Sequence, residues 1–462
     1  MNWETLASTS IAPERVRGSL ATLRSGNAPW FDSAEVSAAL GLVAVLAASP
    51  ALSQRLQTAP EWLGTVFDPE SIEHGRRLEG LRRDAQLLLD AAMAQADHAR
   101  ALEELRHFRQ RELIRIAARD LTNQADLATI TRELSDLADI CLGGVLRVVR
   151  ARLASQLGEP WELEPDGTWR PTEFCIVGLG KLGGQELNYS SDVDVIFVYG
   201  AEGHVFRDPP APRVKPPNEG LTSHEFFRKL AEAVIAEVEM STAAGQLYRI
   251  DVRLRPEGEN GPLARSVESY ENYYAQWGQT WERLMLMKAR PVAGDRSLGS
   301  EFIESIQQFR YPRAATPHLI AEVAATKLRM ESEGIAGDVE RDVKRGRGGI
   351  REIEFITQAL QLLHGGRQPF LQGSGTLPTI DRLASYQLID SAEAVGLAKS
   401  YAFWRNVEHL SAEQPTPGLD LVFVELADVV LDVIAERLDS GGPGKSLQHP
   451  FDADQVRQVV LH

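Results

Sequence analysis

Two cysteines in 462 residues, Cys141 and Cys175, are too few for a disulfide framework, and neither sits in a C-x-x-C or zinc-ligand spacing. A reducing cytoplasm suits that scarcity. Long apolar runs are equally scarce. The most apolar stretch, Ala38 to Ala48, is too short to span a bilayer and is closed by Ser49 and Pro50, so no membrane role is expected. The first residues lack the basic region and apolar core of a signal peptide. Basic excess is missing as well: 49 Lys and Arg stand against 65 Asp and Glu, a net charge of -16. Binding to DNA or RNA irrespective of sequence rests on neutralising phosphates with Lys and Arg, so no nucleic-acid partner is expected and any nucleotide ligand should be small. No short-period repeat is visible.

What the chain does have is a globular composition, 43% apolar and 25% charged, and enough length for two or three domains. Residues 1–155 read as a helical region. Helical periodicity runs from Ser71 to Leu121 and from Gln124 to Leu157, and Asp32 or Ser33 is placed to cap a small-residue helix. Arg76, Arg77, Arg82 and Arg83 alternate with acids there, the pattern of a solvated helix face. A β-rich block follows over 156–312, with strands expected at Glu173–Val177, Val193–Tyr199 and Gln246–Leu254 and a helix from Ser223 to about Ala243. The insert Glu202–Gly220, with Pro209, Pro210, Pro212, Pro216 and Pro217, reads as a loop. Residues 313–462 return to helices, making the expected fold class α+β.

The most informative stretch is GLGKLGGQELNYSSDVDVIFVY, Gly178 to Tyr199. A strand period of two puts Asp192 and Asp194 on one face with Cα atoms roughly 6.5 to 7 Å apart, while Val193, Val195 and Phe197 anchor the other. Paired carboxylates at that spacing suit a divalent cation such as Mg²⁺, which takes one or two of them plus substrate phosphates. Gly180, Gly183 and Gly184 allow backbone N–H groups to approach a phosphate, and Lys181 adds a point charge. Lys181 is not followed by Ser or Thr, which excludes a Walker A loop. Gly178, Gly180 and Gly183 spell G-x-G-x-x-G, but too few residues precede the next strand for the crossover helix of a βαβ unit.

Three further segments carry polar chemistry. In QLYRIDVRLRPEGENGP, residues 246 to 262, apolar Tyr248, Ile250, Val252 and Leu254 alternate with Arg249, Asp251, Arg253 and Arg255, as in a half-buried strand offering a third carboxylate between guanidinium groups that match phosphate oxygens. WERLMLMKARP contributes Lys288 and Arg290, which either bind phosphate or are simply exposed. DVKRGRGGIREIEFITQALQLLHGG sets Gly348 and Gly349 before a helix, equally a ready anion site or a plain helix start. Three carboxylates on adjacent strands beside a glycine turn suggest nucleotidyl transfer, in which metal ions clamp the attacking and leaving oxygens at phosphorus.

In order along the chain, GLGKLGGQELNYSSDVDVIF, YRIDVRLRPEGENGPL, WERLMLMKAR, GGIREIEFITQALQLLHGGRQP and, less sharply, the Tyr401–Leu410 segment with Arg405, Glu408 and His409 resemble the glutamine synthetase adenylyltransferase/adenylyl-removing enzymes. That resemblance covers about residues 170 to 410 and implies a nucleotidyltransferase fold of the DNA polymerase β-like kind. ELNYSSDVD and WERLMLMKAR look like the N-terminal, adenylyl-removing half, and no second glycine-turn and double-Asp motif follows; GLDLVF at Gly418–Phe423 has one Asp. The implied reaction is phosphorolysis of an AMP–tyrosyl bond on glutamine synthetase, with orthophosphate entering and ADP leaving. Asp192, Asp194 and Asp251 are the implied catalytic residues and ligands of Mg²⁺ or Mn²⁺. Gly180, Lys181, Gly183, Gly184, Ser191, Arg253, Arg255, Lys288 and Arg290 are the implied nucleotide and phosphate contacts, and a PII signalling protein is an implied partner. Two other readings stay open: ATP-dependent adenylylation of the same tyrosine, and a non-catalytic regulatory module, against which three retained carboxylates argue because they would repel one another without a cation.

Overall fold

A computed structural model of the chain describes residues 1–215, 219–334, 343–346 and 348–411; Pro216 and Pro217 of the insert and the GLDLVF segment lie outside these. The chain separates into two compact units. The first comprises Met1–Glu159, Phe206–Asp208 and Lys229–Ile250, and the second Pro160–Val205, Pro209–Arg228 and, among the described residues, those from Asp251 onward.

The first unit is helical. The periodic stretch from Ser71 to Leu121 breaks into helices Pro69–His74, Leu78–Met93 and His98–Leu121, the first break falling at Gly75, whose φ of 73° favours glycine. Asp97 and Asp126 cap the helices that follow them by accepting hydrogen bonds from the Arg100 and Thr129 amides. Asp32 and Ser33 instead end the helix Ala28–Ser33, and Glu35 occupies the cap position of Val36–Ala48. The arginines also depart from expectation. Arg83 is exposed as predicted, but Arg76 is half-buried against Asp84 and Glu112, and Glu112 pairs in turn with Arg115, which is 1% exposed. Alternation in sequence does not distinguish a solvated face from an internal ladder of ion pairs. No described helix is long and apolar enough to cross a membrane.

The second unit is built on a mixed sheet. Among the described residues the chain has eight strands, numbered in chain order: β1 Glu159–Leu163, β2 Trp169–Pro171, β3 Phe174–Gly178, β4 Val193–Tyr199, β5 Gly203–Phe206, β6 Ile250–Asp251, β7 Ala264–Ser266 and β8 Arg290–Gly294. The main sheet runs β6-β4-β3-β8, with β7 added to β4; β1, β2 and β5 form a separate small sheet, so the proline-bearing insert begins as a strand rather than as loop throughout. β3 and β4 are antiparallel with Gly178 opposite Val195. One face of the pair packs Cys175, Val177, Ile196 and Val198 against Tyr270, Tyr274 and Phe302, and the other stacks Phe174 and Tyr199 on Phe227 at centroid distances of 5.1 and 4.9 Å. Burial on both faces explains why β4 reads as a continuous apolar run.

The third expected strand, Gln246–Leu254, is only two residues long. Arg253 to Pro256 turn back instead, the Arg255 amide donating to the Val252 carbonyl at 3.2 Å, so the apparent alternation continues past the strand into a turn. Helices Pro317–Gly334, Ile350–His364, Thr376–Ser385 and Ser391–Ser411 complete this unit, with Ile353, Ile356 and Leu360 packed on Ile380, Leu383, Leu397 and Trp404.

Candidate active site

The geometry begins where β3 ends. Past Gly178 the Leu179 amide donates to the Asp194 carbonyl at 2.8 Å, laying the short helical turn Gly180–Gly183 over the start of β4. Gly180, at φ 49°, leaves no room for a side chain because a Cβ would strike the Asp194 carboxylate, and a Cβ on Gly183 would strike the Lys288 carbonyl. Gly183→Ala is therefore expected to displace either the turn or the backbone at Lys288. The measurement is the thermal midpoint of the purified variant, and an unchanged midpoint would refute this reading of the turn.

Asp194 is the one residue of β4 that is not buried, at the solvent end of a strand whose other six are. Burial pushes its carboxyl up to about 6, with Asp251 and then Asp192 adding repulsion and Lys344 and Lys181 opposing it. Asp192 stands exposed just before the strand. The acids thus share one electrostatic neighbourhood at the mouth of the sheet.

Among the described residues no group of three His, Cys, Asp or Glu side chains is placed to hold an ion. After β6 the turn folds Arg253 back onto Asp251, whose two oxygens accept from the guanidinium at 2.6 to 3.1 Å and from the Arg253 amide at 2.8 Å. Hydrogen bonding to Arg253 holds the Asp251 carboxyl below its ordinary value. The hard oxygen donors of Asp192 and Asp194 still suit Mg²⁺ or Mn²⁺ sharing phosphate oxygens, since Mg²⁺ commonly takes only one or two carboxylates.

The cations of the sequence reading divide into two kinds. Arg253 has a side chain 70% exposed and is oriented by Asp251. The others bind protein. Arg255 is buried, donating to the carbonyls of Val252, Glu259 and Gly261 at 2.8 to 3.0 Å. Lys288 is buried between Glu186 at 2.8 Å and Glu354 at 2.7 Å; burial alone would lower its pKa, and the two carboxylates outweigh that and raise it. Arg290 donates to the carbonyls of Leu182 and Gly183 at 3.0 and 3.3 Å, gripping the end of the glycine turn. Lys181 pairs with Glu408 at 2.5 Å, and the Ser191 hydroxyl accepts from the Asn188 amide at 3.3 Å. Lys288, Arg290 and Arg255 thus support the site's frame, because a charge in the interior is retained only where it finds a partner.

The role of their partners is what the sequence reading missed, although Arg405 and Glu408 stand in one of the motifs that carry the resemblance. Glu186 and Asn188, within GGQELN, are buried, and Glu354, Arg405 and Glu408 come from helices more than 150 residues further along. A sequence signal existed: Glu and Asn between a glycine turn and an apolar strand, where a plain connector needs neither.

An α+β unit with acids gathered beside a glycine turn is the class of protein defined so far, and similarity to known sequences gives its family. Residues 40–305 match the family model described as Glutamate-ammonia ligase adenylyltransferase, and the chain belongs to that family. Residues 319–411 match the family model described as GlnD PII-uridylyltransferase. Among curated relatives, the bifunctional glutamine synthetase adenylyltransferase/adenylyl-removing enzyme of Thioalkalivibrio sulfidiphilus is 38% identical over 348 residues, 75% of this chain and 34% of that protein. Its namesakes in Nitrosococcus oceani and Hahella chejuensis are 37% and 35% identical, over 66% and 75% of this chain and 30% and 35% of theirs. The chain spans about a third of the length of the curated relatives it matches.

Proposed function

We propose that this chain carries a metal-dependent nucleotidyltransferase site of the DNA polymerase β-like kind and that it removes AMP from a tyrosine of glutamine synthetase, with orthophosphate as acceptor and ADP as product. The observation that carries the reading is Asp194, fixed beside the glycine turn with its carboxyl pushed up to about 6 by burial and by Asp251 and Asp192. Such a carboxylate gains from a cation, and a relative bearing the adenylyl-removing name is 38% identical over 348 residues. The regions 1–155, 156–312 and 313–462 would be the helical, catalytic and C-terminal helical parts, working in the cytoplasm under a PII signalling partner.

In the reaction an oxygen of orthophosphate forms a bond to the α-phosphorus while the bond from phosphorus to the tyrosine oxygen breaks. Orthophosphate is already anionic and needs placing more than deprotonation. Arg253, exposed and pre-set by Asp251, is suited to hold it by a two-point contact. Asp251, held ionised by Arg253, serves that orientation rather than carrying the proton. Gly180 keeps the space against Asp194 free of side-chain atoms. Mg²⁺ or Mn²⁺ held by Asp192 and Asp194 would supply neutralisation of the charge gathering between the phosphates and the departing phenolate, whose free pKa is about 10.

The test mixes the chain with adenylylated glutamine synthetase, Mg²⁺ and phosphate and follows ADP. A parallel arm supplies ATP and unmodified glutamine synthetase. ADP release that stops on chelation supports the proposal. AMP transfer only in the parallel arm reverses the direction, and silence in both arms removes the catalytic reading in favour of a regulatory module.

A further inference from the structure

The Ser391–Ser411 helix reaches back to the segment between the glycine turn and Asp192 through two side chains. Arg405 is 1% exposed, and its guanidinium divides three ways: to the Glu186 carbonyl, to the Asn188 side-chain oxygen at 2.9 Å and to Glu408 at 2.8 Å. Glu408 is equally divided, accepting from Lys181 at 2.5 Å and from the Asn188 side-chain nitrogen at 2.9 Å. Both ends of Lys181–Asn188 are therefore held by one turn of one helix. Asn188 then passes the constraint on, since its amide donates to the Ser191 hydroxyl at 3.3 Å and the Ser191 amide donates to its carbonyl at 3.3 Å, immediately before Asp192.

We propose that Arg405 and Glu408 are positioning residues for phosphoryl-group chemistry at Asp192 and Asp194, fixing the Lys181–Asn188 segment and through it the carboxylates; this rests on the function proposed above. The physical reasoning is specific to these side chains. Their hydrogen bonds go to Lys181, Glu186 and Asn188 rather than to Asp194, so they act on that carboxylate through the segment. Leu182 and Leu187 anchor the segment in the core, but Gly183 and Gly184 between them have no side chain to fix the path of the backbone, and a fork-shaped guanidinium fixes direction where an ammonium fixes only distance. Glu408 also bears on Lys181 electrostatically: burial and then Arg405 pull the Lys181 pKa down, and Glu408, bonded to its ammonium at 2.5 Å, opposes them. The C-terminal helices thus complete the site rather than merely follow it in the chain.

The variants are Arg405→Lys and Glu408→Gln, with two readouts on the full chain. The first is kcat and KM for phosphate in the ADP-release assay: kcat should fall about tenfold to hundredfold, as for small misplacements of reacting groups, with KM within about twofold. The second is hydrogen exchange without ligands: the Gly184, Gln185 and Glu186 amides, bonded to the Gly180, Leu182 and Lys181 carbonyls, should lose protection while β3 and β4 keep theirs. Glu408→Gln removes one charge at a less enclosed position and serves if Arg405→Lys does not fold. Wild-type turnover and unchanged exchange in a folded variant overturn the inference, as does a uniform loss of protection, which marks a merely structural contact. If the unaltered chain releases no ADP, the functional proposal fails by itself, and the exchange pattern still decides whether the two residues position this segment.

Discussion

Asp194→Asn is expected to lower transfer activity by on the order of a thousandfold while making the ligand-free protein more stable at pH 7.5. Removing one group that stabilises developing charge in an enclosed site typically has effects of that size. The stability gain follows from linkage. The Asp194 carboxyl lies at about 6 in the fold against 3.8 for a free aspartate, so the folded state binds the proton more readily than the unfolded chain. Its contribution is fully present below about 3.8 and is lost as pH rises through about 6. Above that window the ionised carboxylate costs about 1 to 3 kcal/mol, from roughly 1.4 kcal/mol per pKa unit with some screening at a half-exposed position. Asparagine carries no charge to desolvate, so the variant's thermal midpoint should exceed the wild type's at pH 7.5 and converge with it near pH 4. A variant less stable at pH 7.5, or a gap that does not depend on pH, would show that the acids do not repel one another as described.

Lys288→Met should destabilise the fold by about 3 to 5 kcal/mol, the usual result of removing one member of a buried ion network and leaving the other charges uncompensated. Glu186 and Glu354 lie on either side of the Lys288 ammonium, and without it two enclosed carboxylates face each other. Glu186 also accepts from the Thr376 amide at 2.6 Å, so the disturbance should spread to the Thr376–Ser385 helix. Denaturant midpoints measure the loss. Adding Glu186→Gln and Glu354→Gln to Lys288→Met should restore much of it, because neutral side chains remove the repulsion, and that non-additivity distinguishes ionic coupling from lost packing. A single variant within about 1 kcal/mol of wild type would mean that Lys288 is free to serve a ligand after all.

The contrast between Asp194 and Lys288 shows how unevenly the site could be read. β4 was placed at Val193–Tyr199, where it lies, because an apolar run bounded by turn residues is a local signal. The strand around Asp251 was overextended because alternation also continues through the first residues of a turn, and only the Arg255 hydrogen bond to Val252 separates the two. Glycines were read as openings for phosphate. Gly183 instead makes room for the Lys288 carbonyl, and Gly180 makes room for a carboxylate of the protein itself.

By itself the sequence determined an α+β chain with a helical first region, the glycine turn ahead of β4, the acids Asp192, Asp194 and Asp251 as the charged points of that block, and kinship with the adenylyltransferases. The elements are carried by periodicity and composition over a few neighbouring residues, and the kinship by the resemblance of whole motifs. Only the tertiary structure decided which charges face solvent and which are consumed inside, as with Arg253 against Arg255, Lys288 and Arg290. A side chain's charge is written in its residue type, but its availability depends on the partners that folding brings within 3 Å. For Lys181 and Lys288 those partners come from 66 to 227 residues away.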